Sequence, residues 1–343
     1  MRGLKRIAKR IVADRRILFC LAAALALASS GIFAFHFLQN AGASYVIVER
    51  PAPTPHSSLS VHHPPSTALT SLPAANETPP AAAPTPEPTS EGLCGERYDV
   101  FTDGEVIQTE TEYRSKDVAV FFSEVSEEKS ELTGKRLVYY VADIYVQDIG
   151  ALRCALARGK LRNSSPMRSL ARGAGAVVAL SGDFASIRKK GICVRNGVTY
   201  RSSVDARQDV GALGRDGRMR TFEIGEYTVQ GVLAMDPWHV WTFGPELLEN
   251  GKAKAQFNSS VQGRNPRSVF GYYEPGHYCL VLVRGRVDVS EGMCMAELSR
   301  LMERLGCVSA FNLDGGRSAQ IYWNGKVYPA ARTPRNINDI IYL

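Results

Sequence analysis

Residues Ser290–Tyr328 read SEGMCMAELSRLMERLGCVSAFNLDGGRSAQIYWNGKVY, and the hydrophobic period changes within this one stretch. Leu298, Leu301, Met302 and Leu305 fall at i, i+3, i+4 and i+7, one face of a helix that Ser290 can cap at its start and Gly306 at its end. The methionines and leucines of that face therefore belong to a core rather than to a cofactor site. An apolar strand follows over Val308–Leu313, then a Gly-Gly turn, a strand over Ala319–Trp323 and an Asn324-Gly325 pair that predicts a tight hairpin. Helix and hairpin-linked strands in one segment predict an α+β fold, a single mixed α/β domain with hairpins.

Outward from this stretch, alternation predicts strands at Val118–Val125, Leu137–Val146, Ala176–Leu180 and Tyr278–Val283. Asn196-Gly197 predicts a second tight hairpin. Gly211, Gly214 and Gly217 resemble a phosphate loop superficially, but Asp216-Gly217 between polar residues reads more simply as another hairpin. The domain runs from about Leu93 to Leu343, with 93–172 as its N-terminal part and 173–343 as the remainder. No internal repeat is present.

The 343 residues carry 41 Lys+Arg against 34 Asp+Glu, a net charge of +7. Residues 1–16 hold seven bases and one acid, so this tail supplies +6 of that charge and the rest of the chain is close to neutral. A near-neutral body lacks the broad positive field that nonspecific nucleic-acid binding needs, and no nucleic-acid partner is expected. Residues 17–38, ILFCLAAALALASSGIFAFHFL, are uncharged and long enough to cross a hydrocarbon core of about 30 Å. With the bases before it, this span reads as a single-pass signal anchor, N-terminus cytoplasmic and C-terminal domain extracytoplasmic. A cleavable signal peptide ending near Ala26-Leu27-Ala28 is the rival reading, against which stands the return of apolar character at Ile32–Leu38. Residues 39–92 form a Pro-rich linker; 11 of the 18 prolines lie between Pro51 and Pro88. Such a composition buries too little apolar surface to fold and predicts a disordered, semi-rigid spacer, with His56, His62 and His63 as solvated linker side chains.

Cys94, Cys154, Cys193, Cys279, Cys294 and Cys307 lie in the domain. An even number outside a membrane permits disulfides, but Cys193, Cys279 and Cys307 stand in apolar strand-like runs where a thiol acts as a small hydrophobe. No Cys/His pair has zinc spacing. Nor does the chain contain GxxxxGK[ST], a strand-linked GxGxxG, HExxH or GxSxG. His239 and His277 read as satisfied surface or core histidines.

Two segments stand out chemically. In FNLDGGRSAQ, Phe311–Gln320, an apolar strand ends at Asn312 and Asp314 before two glycines whose N–H groups can approach a ligand closely. VALSGDFAS, Val178–Ser186, repeats the device with Gly182, Asp183 and the aromatic Phe184. Two acid-and-glycine strand ends point to a common cleft.

GDFASIRKKGICVRNGVTYR, FGPELLENGK, PRSVFGYY and then Ser290–Tyr328, in this order and spacing, resemble the phosphodiester glycosidase family. That family is typified by an enzyme that removes N-acetylglucosamine from a sugar phosphodiester, and bacterial members are often labelled exopolysaccharide-related. The resemblance covers about Gly173–Leu343, and YYVADIYVQDIGALRCALA looks like the segment that precedes the domain in bacterial members. Two departures concern the site: Arg317 and Ala319 break the usual LDGGGSS turn, and Ser181 replaces the usual asparagine before Gly-Asp.

The resemblance implies hydrolysis of a sugar-1-phosphodiester at the anomeric carbon, and with the anchor expected from residues 17–38 the chain reads as a membrane-anchored hydrolase acting on a cell-envelope glycan or exopolysaccharide. The departing phosphate is already a stable anion, so a carboxylate base or nucleophile and a phosphate clamp matter more than a strong acid. Asp183 and Asp314 are the expected carboxylate pair, with Glu246 in reserve, and Arg267 the expected clamp. Gly182, Gly315 and Gly316 would offer N–H groups, Ser318 a positioning hydroxyl and Arg317 a cation near the phosphate, while Phe184 and Asn312 would line the sugar. The aspartates leave room for a divalent cation, which the sequence itself does not show. A noncatalytic glycan-binding protein that keeps the cleft, and a tethered structural scaffold, are the alternatives from other classes.

Overall fold

The computed structural model describes residues 92–343 apart from Glu96, Arg97 and Ser186. The expected basic tail (1–16), anchor (17–38) and all but the last residue of the linker (39–92) lie outside the described residues.

Strand Leu137–Val146 is apolar at almost every position because both of its faces are buried. Val138, Tyr140, Ala142 and Ile144 enter one core, and Leu137, Tyr139 and Val141 enter another, as a period of two requires. This strand is central to a seven-stranded sheet in the order Ile107–Gln108, Glu112–Arg114, Val118–Glu127, Leu137–Val146, His277–Val283, Arg267–Glu274 and Ser309–Asn312. A second sheet of five strands orders Met219–Phe222, Asp209–Gly214, Pro237–Phe243, Ile192–Arg195 and Val198–Ser202. The third, also of five, orders Lys326–Pro329, Gln320–Trp323, Val178–Ser181, Asp339–Tyr342 and Arg153–Leu156. Pairing is antiparallel throughout the strands of these sheets.

The main core lies where the three sheets face one another. Phe122, Tyr140, Phe270 and Leu280 of the large sheet share it with Trp241 of the second and Leu180, Ile321 and Trp323 of the third. Phe122 stacks on Trp323 with centroids 5.2 Å apart. Each sheet then covers its other face with one short helix. Met295–Arg304 brings Leu298, Leu301 and Met302 to Val141, Val269 and Val281. Met167–Ala174 shares a cluster with Ala179, Tyr322 and Ile340, and Val229–Ala234 adds Val232 to Ile192, Val210 and Val240.

The expected α+β balance is thereby corrected. The domain is single and mostly β, because three facing sheets enclose the core and helices of eight, six and ten residues only cover what remains. The expected strands and all three hairpins are present, with Asn196, Gly197, Gly217, Asn324 and Gly325 at positive φ. Ser290 does not cap the helix. Cys294 stands at its N-cap and donates its N–H to Glu297 Oε2 at 2.9 Å, while the Ser290 hydroxyl bonds Arg284 O at 2.7 Å. All six domain cysteines are unbridged, five of them buried. No helix among the described residues is long and apolar enough to cross a membrane.

Candidate active site

Strand Ser309–Asn312 pairs with Arg267–Glu274 and carries the chain into Leu313-Asp314-Gly315-Gly316. Backbone bonds pin this turn from three sides: Leu313 N to Ser268 O at 2.8 Å, Asp314 N to Gly182 O at 3.2 Å and Gly316 N to Pro266 O at 3.0 Å. A Cβ on Gly315 would lie 2.6 Å from Pro266 O, so only glycine permits this approach. Gly316 adopts φ +61, in the left-handed region.

The turn forms one wall of a cavity of about 780 Å³. Asp314, Gly315, Gly316, Asn312, Phe184 and Arg267 all line it, which brings together six of the residues expected from the sequence. Four arginines, Arg188, Arg207, Arg267 and Arg286, share the lining with two carboxylates, Asp205 and Asp314, giving an excess of two positive charges. The cavity therefore favours an anion.

Asp314 is 16% exposed at its side chain and accepts from Arg335 Nη2 at 3.1 Å. Burial raises its pKa above the usual value, opposed by a hydrogen bond from Ser318 and by the Arg335 and Arg188 charges. Arg335 in turn lies over the Phe184 ring at 5.2 Å, and Arg188 over Phe243 at 4.7 Å. Arg267 is buried with no carboxylate partner among the described residues. Its Nε donates to Met293 O at 3.0 Å and its Nη2 to Val261 O at 3.1 Å and Gly263 O at 2.5 Å. Burial pulls its pKa down to about 10. Asn312 donates to Gly244 O at 2.7 Å, while its Oδ1 is buried without a partner.

Other expected residues stand elsewhere. Asp183 is buried, with Oδ1 accepting from Arg195 Nη2 at 2.6 Å and Ala185 N at 3.1 Å and Oδ2 accepting from Thr242 N at 3.0 Å. Arg195 also pairs with Asp339 at 2.9 Å, so Asp183 is one of two carboxylates holding a buried guanidinium and does not face Asp314 across the cavity. Gly182 is small to make room for that pair, since its Cβ would lie 2.5 Å from Asp339 Oδ1. Glu246 lines a separate depression with Glu223 and Lys254, bonded by the Thr221 hydroxyl and, at 3.3 Å, by Lys254. Arg317 is exposed and turns away to donate to Thr333 O at 2.8 Å. Ser318 is buried behind the wall, where its Oγ accepts from Arg335 Nε at 2.6 Å. Ser181 bonds Ser268 at 3.2 Å in the interior.

Asp205, Arg286 and Arg335 escaped the sequence reading because each reaches the site from a loop with no motif of its own, and Arg188 escaped it although it stands close to Asp183. The one available signal was Arg188, five residues after Asp183. Neither histidine lines the cavity. His239 bonds Leu152 O at 3.0 Å in full burial, which holds its pKa down at about 3, and His277 pairs with Asp143 at 2.8 Å. Among the described residues no three His, Cys, Asp or Glu side chains are grouped to hold a metal ion.

Residues 174–343 match the family model described as phosphodiester glycosidase. The chain is 28% identical over 173 residues to the SPbeta prophage-derived uncharacterized protein YomE of Bacillus subtilis (strain 168). That alignment covers 48% of this chain and 27% of the relative, so the chain spans about a quarter of its length. Among solved structures, the zebrafish N-acetylglucosamine-1-phosphodiester alpha-N-acetylglucosaminidase catalytic domain, auto-inhibited by its pro-peptide, is similar with TM-score 0.55 and 19% identity. The match covers 70% of this chain and 87% of that one, and shows a shared fold. A hypothetical protein from Synechocystis matches with TM-score 0.49 and 15% identity over 66% of this chain and 62% of its own.

Proposed function

Residues 174–343 belong to the phosphodiester glycosidase family, and from this we propose that the protein hydrolyses a sugar-1-phosphodiester at the glycosidic C–O bond. The observation that carries the reading is a cavity with two positive charges in excess and the carboxylate of Asp314 presented on its Gly-Gly turn. Water attacks the anomeric carbon, Asp314 takes the water proton, and the C–O electrons leave on the phosphate oxygen. The products are a free sugar and a phosphomonoester. The leaving group gains charge as the bond breaks, and arginines placed beforehand stabilise it. Phe184 and Phe243 give the sugar ring an apolar wall.

A test follows the oxygen. In ¹⁸O-labelled water the full chain should convert a hexose-1-phosphodiester to free sugar carrying the label. Label in the phosphate would mean P–O cleavage and overturn the mechanism. No turnover across a panel of such diesters, with and without chelator, would leave the second reading, a phosphoglycan-binding protein. The Arg335–Asp314 pair favours that reading, because it occupies the carboxylate.

The natural setting proposed is a cell-envelope glycan or exopolysaccharide, with the domain held outside the membrane by residues 17–38 and its reach set by the Pro-rich linker. The basic block before an uncharged apolar run supports this orientation. Protease added to intact cells should release the domain by cutting the linker, and recovery of the domain only from cytosol would exclude it.

A further inference from the structure

Arg267 cannot be the whole of the phosphate clamp, because its Nε and Nη2 are spent on the carbonyls of Met293, Val261 and Gly263. Those bonds tie down the loop that forms another wall of the cavity. Beside it stands Arg286, which no sequence motif marked. Its Nη2 donates to Asn265 Oδ1, and Asn265 is itself fixed by paired backbone bonds of 3.1 Å with Met293. Its Nη1 lies 3.9 Å from the position a Cβ on Gly316 would take, beside the turn that carries Asp314. Neither arginine forms an ion pair among the described residues, so two neighbouring cations share the cavity lining with no carboxylate bonded to either.

The backbone of Arg286 is equally distinctive. Its φ is +57, and among the described non-glycine residues with positive φ it alone lines the cavity. The strain is imposed from both sides. Gly285 passes so close to Pro266 that a Cβ would lie 2.8 Å from its nitrogen, and Val287 and Ser290 close a tight bridge immediately after. The surroundings thus hold a long cation of the cavity lining in a conformation that non-glycine residues adopt sparingly.

We propose that Arg286 is the residue that grips the non-bridging oxygens of the substrate phosphate, with Arg267 behind it holding the loop. This rests on the phosphodiester glycosidase reading of the same cavity and assigns its substrate contact. Both donors of a guanidinium edge can then meet two phosphate oxygens once Asn265 has oriented the group.

Arg286→Gly is the informative variant, since glycine suits positive φ and removes the cation. Titration calorimetry with inorganic phosphate and with a hexose 1-phosphate should show affinity falling roughly 10- to 100-fold, while the melting temperature holds or rises. Arg286→Lys should retain part of the affinity, and Arg286→Gln answers the same question should the glycine variant fail to fold. Wild-type affinity in the folded glycine or glutamine variant overturns the proposal, as does a native chain that binds neither probe at millimolar concentration. Binding does not require turnover, which separates this inference from the hydrolase reading. A chain that binds hexose 1-phosphate through Arg286 but cleaves no diester keeps the one and loses the other.

Discussion

Asp314 combines a base's position with a carboxyl whose ionised form is disfavoured by burial. Its folded pKa lies above its unfolded one, so the group contributes stability at low pH and loses it as pH rises through the folded value. At neutral pH it therefore weakens the fold it serves. Asp314→Asn should keep or raise the melting temperature while lowering turnover about 10²- to 10⁴-fold, and wild-type turnover should fall as acid protonates the base. Wild-type activity in a folded Asn variant would remove Asp314 from the chemistry. Asp183 carries the opposite expectation, because its oxygens serve Arg195. Removing that guanidinium leaves two buried carboxylates uncompensated, and Arg195→Met should cost about 3–5 kcal/mol in a denaturant titration. Burial and the neighbouring Asp183 push Asp339 up to about 7 from its ordinary 3.8, with Arg195 pulling the other way. By the same sign, its contribution is full below about pH 3.8 and lost as pH rises through about 7. Asp339→Asn should accordingly flatten the loss of melting temperature between pH 5 and 8, and an unchanged slope would exclude Asp339 as its source.

At the scale of elements, the Met295–Arg304 helix shows what local chemistry can and cannot announce. Its apolar stripe is in the sequence, and Leu301 is fully buried against the large sheet. Leu301→Ala should cost about 2–5 kcal/mol, and a loss under 1 kcal/mol would mean that the helix is not packed as described. The N-cap was misread because Ser290 is the usual residue type for a cap, whereas its hydroxyl serves the Arg284 carbonyl. Hairpins were readable because Asn-Gly and Asp-Gly satisfy a backbone need within two residues. The strands of the second sheet were less so than its hairpins, since strand Asp209–Gly214 reads DVGALG, with Gly211 where Met219 and Phe311 press close and no alternation to announce it. Likewise the turn at Asp314 was readable as chemistry, but Arg188, Arg207 and Arg286 come from loops whose convergence only the sheet pairings set. Asp183 and Glu246 looked like site residues because a carboxylate after glycine or proline is ambiguous in sequence between ligand contact and buried anchor.

Across the whole molecule, the segment that resembles the glycosidase family is not the unit that folds. Strands Val118–Glu127 and Leu137–Val146 precede it, yet Leu137–Val146 lies between Val118–Glu127 and His277–Val283 in one sheet. Strand Arg153–Leu156, also upstream, closes the third sheet beside Asp339–Tyr342. Deleting residues 93–172 would remove Val138, Tyr140 and Ile144 from one core and Leu137, Tyr139 and Val141 from the other, all buried in the intact domain. It would also leave the backbone edges of His277–Val283 and Asp339–Tyr342 unpaired, templates for aggregation. With roughly 1.5–3 kcal/mol lost per large apolar side chain taken from the two cores, the deletion removes as much as the 5–15 kcal/mol that a domain has in reserve. Residues 173–343 expressed alone should therefore be insoluble or lack a cooperative melting transition, whereas residues 92–343 should melt cooperatively and bind a hexose 1-phosphate. A folded, phosphate-binding fragment beginning at Gly173 would show that the upstream strands are an appended cover rather than part of the core.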